Sequence, residues 1–386
     1  MDLDKLIAIR RKIHAHPELA YQERNTQSII METLKGLRIE ITATPAETGV
    51  VGLLRGASPT PVVAIRADMD ALPIPEEVGV EYASQNPGVA HACGHDGHVT
   101  CALGAAMLLS QQAKELPGSV KFIFQPAEEG GAGGRALVEA GVLENPRVEA
   151  IFALHIWPEL PFGKIGVKEG PIMAGSDKLT LQVMGRASHA AQPQYGVDAI
   201  RAALSAVERL SRIPQELSLE EPALVSFGMV SGGHSYNILA DSVTIKGTLR
   251  SISDEARGRI LAHIGKGLEI LEGEMGAKFK LTVTSGYPVT SNDPIMARLF
   301  CHYIKWSLGE ESLVRVSQPS MIAEDFSYYL QRVPGIYFWL GVGEGDKFIP
   351  LHHPAFNFKE EALMIGAKAL SAAAKGALEE NLGRTL

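Results

Sequence analysis

SVKFIFQPAEEGGAGGRALVEAGVLENPRVEAIFALHIW, residues 119–157, reads as a strand, a loop holding two glutamates, a helix and a second strand. SVKFIFQP and EAIFALHIW are short runs rich in apolar, β-branched and aromatic residues, and residues 132–142 between them carry helical spacing. Outward from this unit, VVGLLRG and PVVAIRADMD supply further strands, and a helical pattern covers 99–112. Residues 3–35 read as two helices broken at His16-Pro17, with apolar positions at Leu6, Ile7, Ile13, Ile29, Ile30 and Leu34. Strands alternating with helices predict an α/β/α layer fold around a mostly parallel sheet. Asp68, Asp70, Glu128, Glu129 and His155 then fall at or just past the C-terminal ends of strands, the usual ligand edge of such sheets.

The pattern changes at Lys178. KLTLQVMG, a helix over 197–212, ALVSFGMV, SVTIKGTLRSI, a helix over 254–275 and KFKLTVTSG follow the β-α-β-β-α-β order of a ferredoxin-like α+β unit. A helix in MARLFCHYIKWSL, a strand IYFWLGVG, the tripeptide LHH at 351–353 and a helix from Lys359 then resume the first pattern. The expectation is a discontinuous α/β domain, 1–177 and 288–386, interrupted by an inserted domain at 178–287.

At 386 residues the chain is long for one core, and 46% hydrophobic with 21% charged residues describes an ordinary globular protein. A net charge of -8 without any Lys/Arg run argues against nucleic-acid or anionic-membrane partners and points to a small molecule. Three cysteines and an N-terminus unlike a signal peptide point to the cytoplasm. The longest apolar stretch, 99–109, is too short to span a bilayer and reads as a core helix.

HACGHDGH at 91–98 crowds thiol, imidazole and carboxylate into eight residues. Cys93 and His95 stand two apart in a loop opening a helix, where both side chains can turn toward one cation, and Gly94 and Gly97 permit a tight backbone. An isolated Cys/His pair would more often be structural, but the density of ligand types favours metal, and no second cysteine offers Cys-x-x-Cys redox spacing. Glu128 and Glu129 repel each other unless a cation or proton relieves them, so one can ligate while the other moves protons. The segment Gly131-Ala132-Gly133-Gly134-Arg135-Ala136 matches the dinucleotide fingerprint formally, yet the glutamates would confront a pyrophosphate; the glycines read instead as letting the chain pass close to the metal site. Asp68 and Asp70 read as a strand-end turn or as partners orienting a ligand imidazole, and His14 and His16 as capping or packing residues. Taken singly, His155 and His352 are more often structural than ligands. A spare carboxylate beside a metal points to a metal-dependent hydrolase.

These segments together resemble the dinuclear metallo-amidohydrolases that include aminoacylases, hippurate hydrolases and plant auxin-conjugate hydrolases. The matches are HPEL at 16–19, RADMDALPI at 66–74, HACGHDGH at 91–98, FQPAEEG at 124–130, ALHIWP at 153–158, SHAAQP at 188–193, GTLR at 247–250, AEDFS at 323–327 and LHHP at 351–354. The resemblance implies that Cys93, His95, Glu129, His155 and His352 hold two divalent cations, zinc or else manganese, cobalt or nickel, with Glu128 as general base. Spacing alone fits His352 or His353; the resemblance selects His352. Arg66-Ala67-Asp68 stands where the wider peptidase superfamily has a His-x-Asp motif, and Asp70 corresponds to the aspartate that orients a ligand and tunes the base. In the inserted domain it implies substrate contacts from His189, Asn237 and Arg250, and a homodimer or higher oligomer. Without it, Asn237 reads as a turn residue and Arg250 as a solvated strand residue. The activity implied is cleavage of N-acyl amino acids of hippurate, N-acetyl or indoleacetyl type. The alternatives are a metallopeptidase or carboxypeptidase on small peptides, a biosynthetic N-acetyl-amino acid deacetylase, and an inactive metal-dependent binding protein.

Overall fold

A computed structural model describes residues 2–42, 46–345 and 348–380. Helix α1 (Leu3–His14), capped by the Asp2 carboxylate on the Asp4 N–H, and helix α2 (Arg24–Gly36) bury Leu6, Ile9, Ile13, Ile30 and Leu34. Then come β1 (Glu40–Thr42), β2 (Val50–Leu54), β3 (Val62–Asp68), α3 (His95–Gln111), β4 (Ser119–Gln125), the short helices α4 (Glu128–Gly131) and α5 (Gly133–Glu139), β5 (Ala150–Pro161), β6 (Ile165–Val167) and β7 (Gly170–Met173). The middle of the chain forms β8 (Gly175–Met184), α6 (Ala199–Glu216), β9 (Ala223–Gly232), β10 (Ser242–Ser251), α7 (Asp254–Met275) and β11 (Lys278–Ser285). The last stretch gives β12 (Thr290–Asn292), α8 (Pro294–Leu308), β13 (Leu313–Arg315), α9 (Ser327–Leu330), β14 (Gly335–Gly343) and α10 (Ala362–Glu379).

The chain divides into two compact units, 1–172 with 291–318 and 325–386, and 173–290 with 319–324. In the first unit an eight-stranded sheet runs β1-β2-β4-β3-β5-β14-β6-β13. Its centre, β4-β3-β5-β14, is parallel, and every residue of β3 and β4 is buried, which accounts for their predominantly apolar sequence. VVGLLRG does form a strand, but β2 lies antiparallel to both β1 and β4: the chain reverses without a helix among the described residues on either side of β2, and β4 is parallel to β3, the strand that follows β2.

Helix α3 is buried around almost its whole circumference, as its apolar sequence requires. It meets α10 closely: a Cβ on Gly104 would sit 2.6 Å from the Ala367 Cβ, and one on Gly366 would sit 2.6 Å from the Cys101 Sγ. His155, expected at a strand end, lies inside β5, which continues to Pro161. The extension pairs with β14 at Gly341 and Gly343, and a Cβ on Gly341 would come within 2.1 Å of the Pro161 carbonyl oxygen.

The second unit is an antiparallel sheet, β11-β8-β10-β9, with α6 and α7, in the β-α-β-β-α-β order. Burial alternates along β8, one face in the core and one in water. Helix α7 starts at Ser253, whose hydroxyl accepts from the Ala256 N–H, and ends at Gly276 with φ 68°. The Arg257 guanidinium forks onto Asp177 at 2.7 and 2.9 Å.

His14 does more than pack. Its Nδ1 lies 2.8 Å from Asp96, its Nε2 lies 3.2 Å from Glu76, and Arg10 donates to the same Asp96 oxygen at 3.0 Å, all at buried or half-buried positions. Burial opposes a charge on this ring, but Asp96 and Glu76 outweigh it and push His14 up to about 9. The folded value lies above the unfolded 6.5, so the stabilisation is complete below about pH 6.5 and is lost as pH rises through about 9. We expect His14→Gln to destabilise the protein by roughly 3 kcal/mol at pH 6 and much less at pH 10. Urea denaturation of both proteins at the two pH values checks this, and an equal difference at both would remove the ion-pair assignment.

Candidate metal centre

The ligand edge is built by three chain reversals. After β3 the chain carries Asp70 past the sheet; the loop before α3 presents Cys93 and starts the helix at His95 through Gly94, whose φ is 83°. After β4, Ala127 adopts a left-handed φ of 57°, followed by Gly130 at 92° and Ala132 at 51°. This strained hairpin is held from two sides. The buried Glu23 carboxylate accepts from the Ala127 N–H at 3.0 Å and from the Thr48 hydroxyl at 2.5 Å. The Asp70 carboxylate accepts from the Glu128 and Glu129 N–H groups, each at 3.0 Å. A Cβ on Gly133 would meet the Pro126 carbonyl oxygen at 1.8 Å, and one on Gly134 would meet the Asp325 carbonyl oxygen at 2.9 Å. They let the hairpin close on itself and on Asp325.

Cys93, His95, Glu128, Glu129, His155 and His352 converge. Ligand-type atoms of Cys93, His95 and His155 lie within 4.8 Å of one another, as do those of Cys93, Glu129 and His352, and of His95, Glu128 and Glu129. The Cys93 Sγ is 3.5 Å from the His155 Nε2, and the Glu129 Oε1 is 3.2 Å from the His352 Nε2 and 3.9 Å from the His95 Nε2. His352 has φ 64°, fixed by its N–H donating to the Ala92 carbonyl at 2.8 Å. Its neighbour His353 turns its Nδ1 to the Ala355 N–H at 3.1 Å.

Each buried imidazole is oriented by its other nitrogen. His95 Nδ1 donates to the Asp70 carbonyl at 2.8 Å, and His155 Nδ1 donates to the Ile156 carbonyl at 2.6 Å, so Nε2 of both faces the cluster. His95 Nε2 is buried without a hydrogen-bond partner and faces Glu129 Oε1 at 3.9 Å, with His352 Nε2 3.2 Å from that oxygen; an unpartnered buried nitrogen carries a large penalty unless a cation sits between these atoms. The charges agree. Burial opposes protonation of His95, but Asp68, Asp70 and Glu129 push it up to about 10; the field that draws a proton there would equally draw a divalent cation. Burial and then Glu129 and Glu128 raise the Cys93 thiol, and burial holds His155 neutral, well below the usual histidine range. Thiol, imidazoles and carboxylate with outward-facing lone pairs fit zinc-like cations.

Asp68 and His98 are near but already engaged. Asp68 takes the His98 Nδ1 hydrogen at 2.6 Å and an Arg66 nitrogen at 2.7 Å, while His98 Nε2 accepts from the Ile156 N–H at 2.9 Å. Sequence reasoning missed His98, Glu23, Gln125 and Asp325; AEDFS and HACGHDGH contained two of them, but nothing local marked their partners. His189, Asn237 and Arg250 belong to the second unit. His189 pairs with Ile238, and its Nδ1 accepts from the Ala191 N–H at 3.1 Å, leaving the hydrogen on Nε2. The Asn237 side-chain oxygen accepts from the Ser235 hydroxyl, and Arg250 on β10 donates to the Met321 carbonyl at 2.9 Å.

The model of peptidase family M20/M25/M40 matches residues 64–376. N-acetylcysteine deacetylase of Bacillus subtilis is 39% identical over 366 residues, 94% of each chain. IAA-amino acid hydrolase ILR1-like 4 of Arabidopsis thaliana is 38% identical, covering 99% of this chain and 88% of its own. Among solved structures, the YXEP protein of Bacillus subtilis, described as a dinuclear metal binding peptidase from the M20 family, superposes with a TM-score of 0.86 at 37% identity over 98% of both chains.

Removing the Asp70 carboxylate should loosen both glutamates together, while the Asp70 carbonyl that holds His95 stays in place. Asp70→Ala is expected to weaken zinc binding by about 10–100-fold, measured by competition with a chromophoric chelator. Affinity equal to that of the unaltered protein would show that the hairpin holds itself.

Proposed function

The chain belongs to peptidase family M20/M25/M40, and on that premise we propose that it hydrolyses the amide bond of N-acyl amino acids, releasing a carboxylic acid and a free amino acid. It is a metal-dependent amidohydrolase. The carrying observation is the buried, unpartnered His95 Nε2 facing Glu129 Oε1, beside a second carboxylate, Glu128, on the same bracketed hairpin. We assign Cys93, His95, Glu129, His155 and His352 to two divalent cations, of which zinc suits the donor set best and manganese, cobalt or nickel remain compatible. When bound, the cations supply Lewis acidity toward water and the acyl oxygen.

The chain's own residues do the rest. Glu128 accepts a proton from the attacking water as its oxygen bonds to the acyl carbon. The same carboxyl then delivers that proton to the nitrogen as the C–N bond breaks. Asp70 is a positioning residue here, since both its oxygens hold the backbone of Glu128 and Glu129. In the second unit, the Nε2–H of His189 is a ready donor to an oxyanion, and Arg250 and Asn237 are assigned to the amino acid's carboxylate. The deacetylase and peptidase alternatives differ in whether acyl size or amino-acid side chain governs kcat/KM. No helix among the described residues is long and apolar enough to cross a membrane. Three free cysteines accord with a cytoplasmic setting.

The second unit is also the proposed dimer surface. Strand β9 is an outer strand of its sheet and exposes Met229 and Val230, and helix α6 exposes Ile200 and Leu204. If His189 serves the partner's site, mixing Glu128→Ala with His189→Ala protomers restores about a quarter of normal activity; no recovery confines each site to one chain.

Amino-acid release from N-acetyl, N-benzoyl and indoleacetyl amino acids, with metal-stripped protein reloaded with zinc, cobalt or manganese, tests the main reading. We expect metal-dependent turnover that falls by 100-fold or more in Glu128→Ala, an estimate from general-base catalysis. Confirmed metal binding without turnover on any substrate would favour the binding-protein alternative.

A further inference from the structure

Arg66 is wholly buried and carries three separate hydrogen bonds to side chains on three strands or loops. Its Nε donates to the Gln125 side-chain oxygen at 2.8 Å, one terminal nitrogen to Asp68 at 2.7 Å and the other to Asp325 at 2.8 Å. From this guanidinium two chains of contacts lead toward the candidate centre.

One leads to a ligand. Asp68 accepts the Nδ1 hydrogen of His98, and His98 Nε2 accepts the N–H of Ile156, a backbone group that can only donate. The ring's tautomer is therefore set, and neither nitrogen is left to bind metal. The carbonyl of the same Ile156 receives the Nδ1 hydrogen of His155. The residue that aims the His155 ring is thus pinned at its N–H by His98 and at its carbonyl by His155 itself.

The other leads to the base. Asp325 is gripped at its carboxylate by Arg66, by the Gln125 side-chain nitrogen at 2.9 Å and by the Gly134 N–H at 2.7 Å. Its own N–H points to the Glu128 Oε1 at 3.4 Å. The Gly134 contact ties this arm to the hairpin that carries Glu128 and Glu129, and the close approach at Gly134 leaves little room for Asp325 to shift.

We propose that Arg66 is a positioning residue that joins the aim of metal ligand His155, through Asp68 and His98, to the placement of the base Glu128, through Asp325. The inference rests on the assignment of His155 and Glu128 made above. It explains a buried charge that no reacting atom touches: a guanidinium presents three donor directions in one rigid plane, which a lysine ammonium cannot reproduce.

The two arms predict different losses. His98→Leu cuts the ligand arm, and its main effect is a zinc affinity lowered by about 10–100-fold. His98→Gln, whose amide can still donate to Asp68 and accept from Ile156, recovers most of it. Asp325→Ala cuts the base arm, and its main effect is a kcat lowered by about 100-fold at saturating metal with KM little changed. Arg66→Met cuts both and shows both losses; if it does not fold, Arg66→Lys, which keeps the charge but cannot span both carboxylates, is expected to show them. Affinity is read by chelator competition on metal-stripped protein, kinetics on an N-acyl amino acid, and folding by circular dichroism. A folded Arg66 variant that keeps normal affinity, or loses affinity with unchanged kcat, overturns the proposal, as does a His98→Leu protein with normal affinity. Absence of turnover in the unaltered protein would instead defeat the proposed reaction, and the affinity measurements would still decide the ligand arm.

Discussion

Too much negative charge for one place is the constraint from which this molecule is built. Asp68, Asp70, Glu128, Glu129 and Asp325 crowd the C-terminal edge of the parallel centre of one sheet, nearly all of them withdrawn from water. Buried carboxylates are tolerated only when each is paired or fully hydrogen-bonded. The surrounding structure supplies that compensation in kind. Arg66 answers Asp68 and Asp325, two backbone N–H groups answer Asp70, and the field left over at His95 and Glu129 favours positive charge there. The same rule applies one layer out, where Arg10 and His14 neutralise Asp96 at the start of α3.

Charge compensation also explains why the backbone tolerates strain here. Ala127 and Ala132 occupy the left-handed region without being glycine, a conformation that costs on the order of 1 kcal/mol or more each. Glu23, Asp70 and Asp325 hold the hairpin by its N–H groups at three points, so the strained loop and the buried anions satisfy each other. Neutral side chains in place of Glu23, Asp70 and Asp325 would be weaker acceptors for those N–H groups, and without the hairpin these carboxylates would lose donors.

Much of this was readable in advance, and what was not readable has a common cause. Strand and helix periodicity revealed the α/β layers and the ferredoxin-like middle segment, because both depend on local alternation of apolar residues. Cys93, His95, Glu128 and Glu129 stood out because their residue types cluster within short segments. The partners that hold them are remote: Arg66 meets Asp325 across 259 residues, and Gln125 meets it across 200. Nothing in RAD or FQP signals such a pairing. The left-handed alanines were equally silent, since alanine carries no turn signature, and the full length of β5 depended on two glycines of β14 far along the chain.

The place of β14 has a temporal meaning. This strand lies between β5 and β6, so the eight-stranded sheet keeps a missing slat until residue 343 has left the ribosome. His352 is made later still, and α10, which packs on the helix that His95 begins, comes last. The middle unit is nearly contiguous in the chain and can close long before. A newborn chain can therefore hold a finished inserted unit while the discontinuous one is still incomplete, and the full candidate ligand set exists only after His352 has been made.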